Sequence, residues 1–297
     1  GFSFWAWAGG LALMVWSRAD AFLLAPVLGT AAFGFYLLAG EIAMMPVTEL
    51  LEPACATLTP GFALARRNGT ASVSMGLTVG GILALGTIPF AIGVSACSGY
   101  LVTGLLGPNW QAARPLIAII TWSSMFSPFS YVCGSVLTAH GQVRRVFICN
   151  AVAAALKVLV VLVVRETHDL MTISIAAVAV MAAESSIFVF QLRATGGIEL
   201  RQLRVAMTRA ALSTAATCAV LRLLPGTWDV VTLDRIPALA VGAAIGLLTF
   251  FVFSACQLLL WRMAGCPAGV EARLIEALRE VVRPPAWLKS VWTNVQV

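Results

Sequence analysis

The feature that most restricts how this 297-residue chain can fold is a series of eight long apolar segments. Short stretches that are polar or contain glycine and proline separate these segments. A helix needs about 20 mainly apolar residues to cross the hydrocarbon layer of a bilayer. Apolar residues make up 60% of the chain and charged residues 11%, which is far from the composition of a soluble domain. The segments cover about 4–25, 30–58, 70–94, 112–138, 146–164, 170–192, 206–224 and 237–262. We therefore predict an all-α, polytopic transmembrane bundle of about eight spans.

The arginines and lysines of the connections are distributed unequally between the two ends of the predicted bundle. The connections after segments 2, 4, 6 and 8 hold thirteen of them: Arg66, Arg67, Arg144, Arg145, Arg193, Arg201, Arg204, Arg209, Arg262, Arg273, Arg279, Arg283 and Lys289. The connections after segments 1, 3, 5 and 7 hold four: Arg114, Arg165, Arg222 and Arg235. Since loops rich in these residues stay in the cytoplasm, both ends of the chain are predicted to be cytoplasmic. The same distribution explains the net charge of +6 without a nucleic-acid partner.

Residues 265–297 are predicted to form a cytoplasmic helix and tail with an amphipathic pattern. On a helix of about 270–283, one apolar stripe consists of Val270, Leu274, Leu278, Val281 and Val282. Pro284 and Pro285 end this helix, because proline cannot continue it. The pattern is compatible with a helix lying on the inner membrane surface, or with a helix packed on the loops of the bundle.

Charged residues inside the first two segments are candidates for function, because an ionisable group is costly in hydrocarbon. Arg18 and Asp20 in segment 1 point about 200° apart on a helix, so they cannot both face one cavity. A short turn near 26–29 makes segments 1 and 2 a hairpin, in which Arg18 and Glu41 differ in height by about 4.5 Å. An Arg18–Glu41 ion pair is therefore within reach, and it would either orient the hairpin or belong to a substrate site.

Segments 5 and 6 add one cation and one acid. Lys157 lies near the middle of segment 5, and Glu184 lies nearer the cytoplasmic end of segment 6. Their heights differ by about 9 Å, so a direct ion pair between them is not expected. Because Lys157 is too far from either end to reach the interface, it is a candidate for lining a polar cavity.

Three prolines recur every seven residues in segment 2, at Pro46, Pro53 and Pro60. Each removes one hydrogen bond of a helix and frees a carbonyl one turn earlier. This pattern predicts either a hinge, as in the broken helices of transporters, or a static kink that fits neighbouring helices.

The residue types of catalytic and metal sites are sparse in this sequence. Seven cysteines are scattered without a CxxC pair, and the two histidines lie in predicted turns on opposite faces of the membrane. No GxSxG, HExxH or phosphate-binding loop motif occurs. We therefore predict no enzymatic activity, no cofactor and no metal.

Four short motifs follow one another within about residues 10–150. Asp20 is followed by a Leu28-Gly29 turn and by Gly34-Phe35-Tyr36-Leu37-Leu38-Ala39, and Pro46 precedes Leu58-Thr59-Pro60-Gly61-Phe62-Ala63. Farther on come Leu106-Gly107-Pro108-Asn109-Trp110, which continues to Ala113, Pro115 and Leu116, and then Thr138-Ala139-His140-Gly141-Gln142. In order and spacing, this set resembles the polysaccharide flippases, which export lipid-linked oligosaccharides within the multidrug/oligosaccharidyl-lipid/polysaccharide (MOP) superfamily. Gln142 stands where that family usually has a basic residue.

The resemblance implies a domain arrangement. Such flippases have two lobes around a central cavity, and the motifs here belong to the second lobe. The transmembrane domain is accordingly predicted over 1–264, with a six-helix lobe at about 1–195 and two additional helices at about 206–262. A first lobe of about six helices is expected beyond this sequence, which begins with Gly1 rather than Met.

The resemblance also implies a function. It predicts that the chain moves an undecaprenyl-diphosphate-linked oligosaccharide across the bacterial inner membrane for polysaccharide or lipopolysaccharide biosynthesis, by ion-coupled alternating access. Arg18 and Lys157 are then the candidates for binding the anionic head, and Asp20, Glu41 and Glu184 for ion coupling or gating. The implied partners are the lipid-linked substrate, the lipid bilayer and the polymerase or export machinery.

Four alternatives remain open from the sequence. A drug/cation antiporter of the same superfamily would need an acidic cavity without the basic residues, and the peptidoglycan-precursor flippases form a further branch. A membrane-embedded transferase acting on lipid-linked sugar would need a base or metal-binding carboxylates, for which Glu49 and Glu52 are the candidates. The last alternative is a scaffold that does not transport.

Overall fold

Ten α-helices, joined in places by short π and 3-10 turns, account for most of what the computed structural model describes, residues 1–68, 72–194, 200–224, 234–266 and 270–282. The helices are α1 (Phe2–Pro46), α2 (Glu52–Arg67), α3 (Ser72–Leu101), α4 (Arg114–Ile120), α5 (Ser127–Ala139), α6 (Val143–Val164), α7 (Leu170–Arg193), α8 (Leu200–Leu223), α9 (Arg235–Met263) and α10 (Val270–Val282). Within these residues there is no strand, which confirms the predicted all-α class.

Helix α1 consists of two antiparallel arms, residues 2–28 and 30–46, on either side of Gly29. Gly29 has φ 78° and ψ 165°, a backbone conformation open to glycine and not to other residues. The Tyr36 hydroxyl lies 3.4 Å from the Asp20 carboxylate, whereas 16 residues of continuous helix would separate them by about 24 Å. The chain therefore reverses at Gly29, which confirms the predicted hairpin.

Six helical stretches of the described chain are long and apolar enough to cross a membrane: Ser3–Arg67, Val73–Leu106, Pro108–Ala139, Val143–Thr167, Leu170–Arg193 and Arg235–Met263. The first contains both arms of α1 and so accounts for two predicted segments. The predicted seventh segment, which corresponds to α8, carries Arg201, Arg204, Arg209 and Arg222 and is not among the six, so its crossing stays a prediction. The chain is a multi-pass helical membrane protein.

Two of the predicted prolines flank an irregularity in the helix that continues from the second arm. A π turn at Val47–Leu51 separates α1 from α2, and it lies between Pro46 and Pro53. The helix widens here because a proline cannot donate a ladder hydrogen bond and its ring displaces the preceding turn. Pro60, in contrast, lies inside α2, which continues to Arg67. The structure thus has a local break near two of the prolines, and a hinge motion there stays a prediction.

Helices α8, α9 and α10 meet around a buried polar network. The Arg209 guanidinium pairs with the Glu271 carboxylate at 3.1 Å, and the Gln257 amide donates to the same carboxylate at 3.0 Å. The Ser213 hydroxyl donates to the Gln257 side-chain oxygen at 2.7 Å. The start of α10 is therefore packed against helices of the bundle, and not against its described loops. The end of the predicted tail, residues 283–297 with Pro284 and Pro285, lies outside the described residues.

The N-terminus of α7 is capped by Asp169, and this cap predicts a pH dependence of stability. The Asp169 carboxylate accepts hydrogen bonds from the Thr172 hydroxyl and from the backbone N–H groups of Met171 and Thr172. These bonds, the Thr172 hydroxyl first, lower the pKa of Asp169, so its contribution is present at neutral pH and declines as the pH falls below about 4. We expect Asp169→Ala to lower the thermal midpoint in detergent at pH 7, and the difference from wild type to shrink near pH 3. A difference that is unchanged at acid pH would contradict this assignment.

Candidate functional site

A charged pair joins α1 to α6 inside the bundle. The Lys157 ammonium lies 3.0 Å from Oδ2 of Asp20, and the two side chains are 11% and 22% exposed. The pair is held in place because the first arm of α1 packs closely along α6: Gly9 contacts Phe147, and the Asn150 amide donates to the Gly9 carbonyl at 3.5 Å. Two predicted site residues are therefore brought together.

Two aromatic side chains complete this site. The Tyr36 hydroxyl, on the second arm of α1, donates to the same Asp20 oxygen at 3.4 Å. The Lys157 ammonium also lies 4.2 Å from the centre of the Trp16 ring, where the negative face of the ring attracts a cation. The Asp20–Lys157 site, by which we mean Trp16, Asp20, Tyr36 and Lys157, thus draws on both arms of α1 and on α6.

Two polar atoms of the Asp20–Lys157 site are buried without a hydrogen-bond partner. These are Oδ1 of Asp20 and Nε1 of Trp16, an acceptor and a donor. Buried polar atoms are nearly always satisfied, and the exceptions concentrate where water, an ion or a ligand group can bind. The site can therefore offer a cation, a carboxylate oxygen and an indole N–H to a polar guest.

The Asp20–Lys157 site lies deep in the predicted spans. Lys157 is about 21 Å along α6 from Val143 and about 10 Å from Val164. Charged groups at such depth are retained where they pair with one another or face a wet cavity. The pairing neutralises the two charges against each other, while the unpartnered atoms keep the site able to interact with other polar groups.

Arg18 and Glu41 lie elsewhere, exposed on the outside of the α1 hairpin. The described ion pairs do not include Arg18–Glu41, so the pair that the sequence placed within reach does not form. The physical reason is the helical periodicity: Asp20 turns toward α6, and Arg18, about 200° around the same helix, turns away from it. Both exposed residues are about 17–18 Å from Gly29 along their arms, and so at similar depth.

The remaining predicted acids lie on other elements. Glu184 on α7 is partly buried, and its Oε2 has no hydrogen-bond partner. Glu184 and Lys157 are not joined in any described ion pair, as their difference in height predicted. Glu52 accepts a hydrogen bond from the Tyr131 hydroxyl at 2.8 Å, which ties α2 to α5, and Glu49 is exposed.

Sequence reasoning identified Asp20 and Lys157 separately, and it missed Trp16 and Tyr36. A signal for each was present. Trp16 is four residues before Asp20, so both lie on one helix face, and Tyr36 is the central residue of the motif that follows the turn. Among the described residues, no group of three or more His, Cys, Asp or Glu side chains is arranged to hold a metal ion.

The sequence comparisons point in one direction. A family profile described as "Polysaccharide biosynthesis protein" matches residues 1–115. The chain is 26% identical over 155 residues to the teichuronic acid biosynthesis protein TuaB of Bacillus subtilis (strain 168), covering 52% of this chain and 32% of that protein. It is 26% identical over 145 residues to the amylovoran biosynthesis protein AmsL of Erwinia amylovora, covering 48% of this chain and 37% of that one. The matches thus span about a third of the length of these curated relatives.

A solved structure shares the fold. The chain resembles the lipid II flippase MurJ, in its inward closed conformation, with a TM-score of 0.65 over 85% of this chain and 52% of that one. The sequence identity is 12%, so the likeness establishes the architecture. Together, the profile and the relatives confirm that this multi-pass membrane chain resembles polysaccharide biosynthesis proteins, and its fold is shared with MurJ, in agreement with the resemblance that its motifs indicated.

Proposed function

We propose that the protein takes part in moving an undecaprenyl-diphosphate-linked oligosaccharide from the inner to the outer leaflet of a bacterial inner membrane. A sugar-diphosphate head cannot cross hydrocarbon without a polar path, whereas its apolar polyprenyl tail can stay in the bilayer. The observation that carries the proposal is the Asp20–Lys157 site, a buried and incompletely satisfied charged site deep in the spans.

Lys157 is proposed to contact the diphosphate during translocation. In the present arrangement its ammonium is neutralised by Asp20, and this pairing keeps the site stable without substrate. A diphosphate carries more negative charge than one carboxylate, so it can compete for the ammonium when it enters the site. Asp20 would then be released to bind a proton or another cation, which is the proposed link to ion coupling.

Arg18 is proposed to line the path that leads to this site. A guanidinium at mid-depth is strongly disfavoured against lipid tails, so the exposed face of the α1 hairpin is expected to face water or protein. Glu41 is exposed on the second arm, at the same depth, and supports this orientation. Glu41 and Glu184 are proposed as further coupling or gating acids.

During alternating access, the helix that continues from the second arm of α1 is proposed to bend near the π turn. That turn lies between Pro46 and Pro53, where the helix already lacks regular hydrogen bonds, and Pro60 is the third proposed hinge position. The unequal distribution of arginines and lysines supports an orientation with both ends of the chain in the cytoplasm.

The test is the amount of surface polysaccharide made by cells that carry variants of the protein. We expect Lys157→Ala and Arg18→Ala each to reduce export at least about tenfold, because each removes one charge-assisted contact to the anionic head. The matched control is Arg165→Ala, which removes an arginine from the turn after α6, where it pairs with its neighbour Glu166.

Protein levels in the membrane, measured by immunoblot and by size-exclusion chromatography in detergent, separate loss of transport from loss of folding. Normal polysaccharide in both Lys157→Ala and Arg18→Ala cells would overturn the site. Loss of polysaccharide in the Arg165→Ala control would show that any missing arginine has this effect, and it would likewise remove the support for the assignment.

A further inference from the structure

A basic cavity lies far from the Asp20–Lys157 site, at the opposite end of α6. Its volume is about 430 Å³, which is in the range of small-molecule sites. The cavity is lined by Trp5, Gly141, Gln142, Val143, Arg144 and Arg145, and we call it the Trp5–Arg145 pocket. It is formed where the first arm of α1 meets the turn between α5 and α6.

The Trp5–Arg145 pocket is strongly positive. Both of its arginines are absent from the ion pairs of the described residues, and no carboxylate is among its lining residues. Nη1 of Arg145 is buried without a hydrogen-bond partner. The Arg66 guanidinium lies close by, because its Nη1 donates to the Ala139 carbonyl at 3.5 Å. Partial burial and this guanidinium lower the pKa of His140, so its imidazole is neutral at neutral pH.

The aromatic wall of the pocket is fixed in place. The Trp5 ring lies 5.3 Å from the Phe147 ring, and the Arg144 guanidinium lies 5.3 Å from the Trp5 ring centre. The first helical residue of α6 is Val143, and no side chain caps that helix. The positive end of the α6 helix dipole therefore adds to the positive potential that the two arginines create.

The position of the pocket limits the chemical class of ligand that it can bind. It opens beside the connection after segment 4, which belongs to the arginine-rich end of the bundle, and tryptophan is enriched at the level of lipid headgroups. Basic pockets between membrane helices at this level bind phosphate-bearing headgroups. We infer that the Trp5–Arg145 pocket binds the phosphate of a lipid headgroup, with Arg144 and Arg145 as its donors.

Two sources share this chemistry, and only one of them rests on the proposed function. The first is an anionic phospholipid of the surrounding membrane. The second is the diphosphate of the lipid-linked sugar, which would make the pocket a docking point before the head moves on to Lys157. The experiment therefore uses a separate probe for each source.

The purified full chain is reconstituted in phosphatidylcholine nanodiscs, and the binding of phosphatidylglycerol and of undecaprenyl diphosphate is measured by native mass spectrometry. We expect the wild type to bind at least one of them, and Arg144→Ala/Arg145→Ala to weaken that binding about tenfold or more. The matched control, Arg165→Ala/Arg193→Ala, removes the same charge elsewhere and should bind as the wild type does.

Each result decides one point. Loss of phosphatidylglycerol binding alone assigns a structural phospholipid, and loss of undecaprenyl diphosphate binding assigns the docking point. Equal binding by the alanine pair and its control, or no binding of either probe by the wild type, overturns the inference. Because the measurement does not involve export, its failure leaves the Lys157 test of the proposed function intact.

A conservative variant keeps the inference testable if Arg144→Ala/Arg145→Ala does not fold. Arg144→Lys/Arg145→Lys keeps both charges and loses the two-pronged geometry of the guanidinium, so we expect a smaller, roughly threefold loss of affinity. Binding that is unchanged in the lysine pair would mean that the arginines do not bind the phosphate through paired donors, and it would also overturn the inference.

Discussion

Replacing Lys157 by methionine is expected to lower the free energy of unfolding by about 3 kcal/mol, because it leaves a partly buried carboxylate without its cation. Asp20 is 22% exposed and keeps, beside Lys157, only the Tyr36 hydroxyl as a described partner. Methionine matches the length of the lysine stem, so little packing is lost with the charge. The measurement is the unfolding midpoint of the purified protein in detergent, by circular dichroism.

The companion variants complete a double-mutant cycle. Asp20→Asn alone is expected to be destabilising, because it leaves a buried ammonium, whereas Asp20→Asn/Lys157→Met removes both charges and should recover most of the stability. If the effects of the two single changes on the free energy of unfolding are additive, then the two side chains do not interact, and the ion pair does not contribute to stability.

The same double variant also separates structure from transport. If the Asp20–Lys157 ion pair only orients α1 against α6, then the neutral pair, Asp20→Asn/Lys157→Met, should restore polysaccharide export together with stability. If Lys157 contacts the diphosphate, as proposed, then the neutral pair should be stable and remain inactive. Restored export in the neutral pair would therefore contradict the proposed role of Lys157 directly.

Replacing Glu271 by alanine is expected to cost about 3–5 kcal/mol, since it strands the Arg209 guanidinium in the interior. Glu271 is 3% exposed, and it holds both Arg209 and the Gln257 amide. Nε and Nη1 of Arg209 are already buried without a hydrogen-bond partner, so Glu271 provides the described ion pair of that guanidinium. The variant should show a lower unfolding midpoint and faster proteolysis of the segment that contains α10.

Glu276→Ala is the matched control for this prediction, because it removes an exposed acid from the same helix. It should leave the midpoint and the proteolysis rate unchanged. Arg209→Met/Glu271→Leu, which replaces the pair by apolar groups, should be close to wild type. A Glu271→Ala protein as stable as the control would mean that α10 is not held to α8 and α9 through this carboxylate.

The all-α class and most helix positions could be predicted from the sequence for a simple physical reason. A backbone that passes through hydrocarbon must satisfy its own hydrogen bonds, so an apolar run of about 20 residues has essentially one structure available to it. Gly29 marks the turn of the first hairpin, and Pro46 and Pro53 mark the irregular turn, because those residue types act on the local backbone. Such local effects can be recognised without knowing any neighbour.

The partners of charged side chains could not be predicted in the same way. Height differences along two connected helices placed Arg18 within reach of Glu41, and they excluded Lys157 from Glu184. They held no information on which face of α1 meets α6, two helices that are far apart in the sequence. The apolar faces of the first arm are nearly equivalent in composition, so packing of Gly9 against Phe147, and not a sequence pattern, turns Asp20 inward and Arg18 outward.

By itself, then, the sequence determined that this chain spans a membrane as helices, which residues carry charges that are costly in hydrocarbon, and which family its motifs resemble. Only the tertiary structure decided that Lys157 belongs to Asp20, that Trp16 and Tyr36 complete their site, and that Glu271 anchors α10. The difference has one physical cause. Hydrogen bonding and hydropathy act along a few neighbouring residues, whereas an ion pair depends on how whole helices rotate against one another, and that rotation is set by the sum of many small packing contacts.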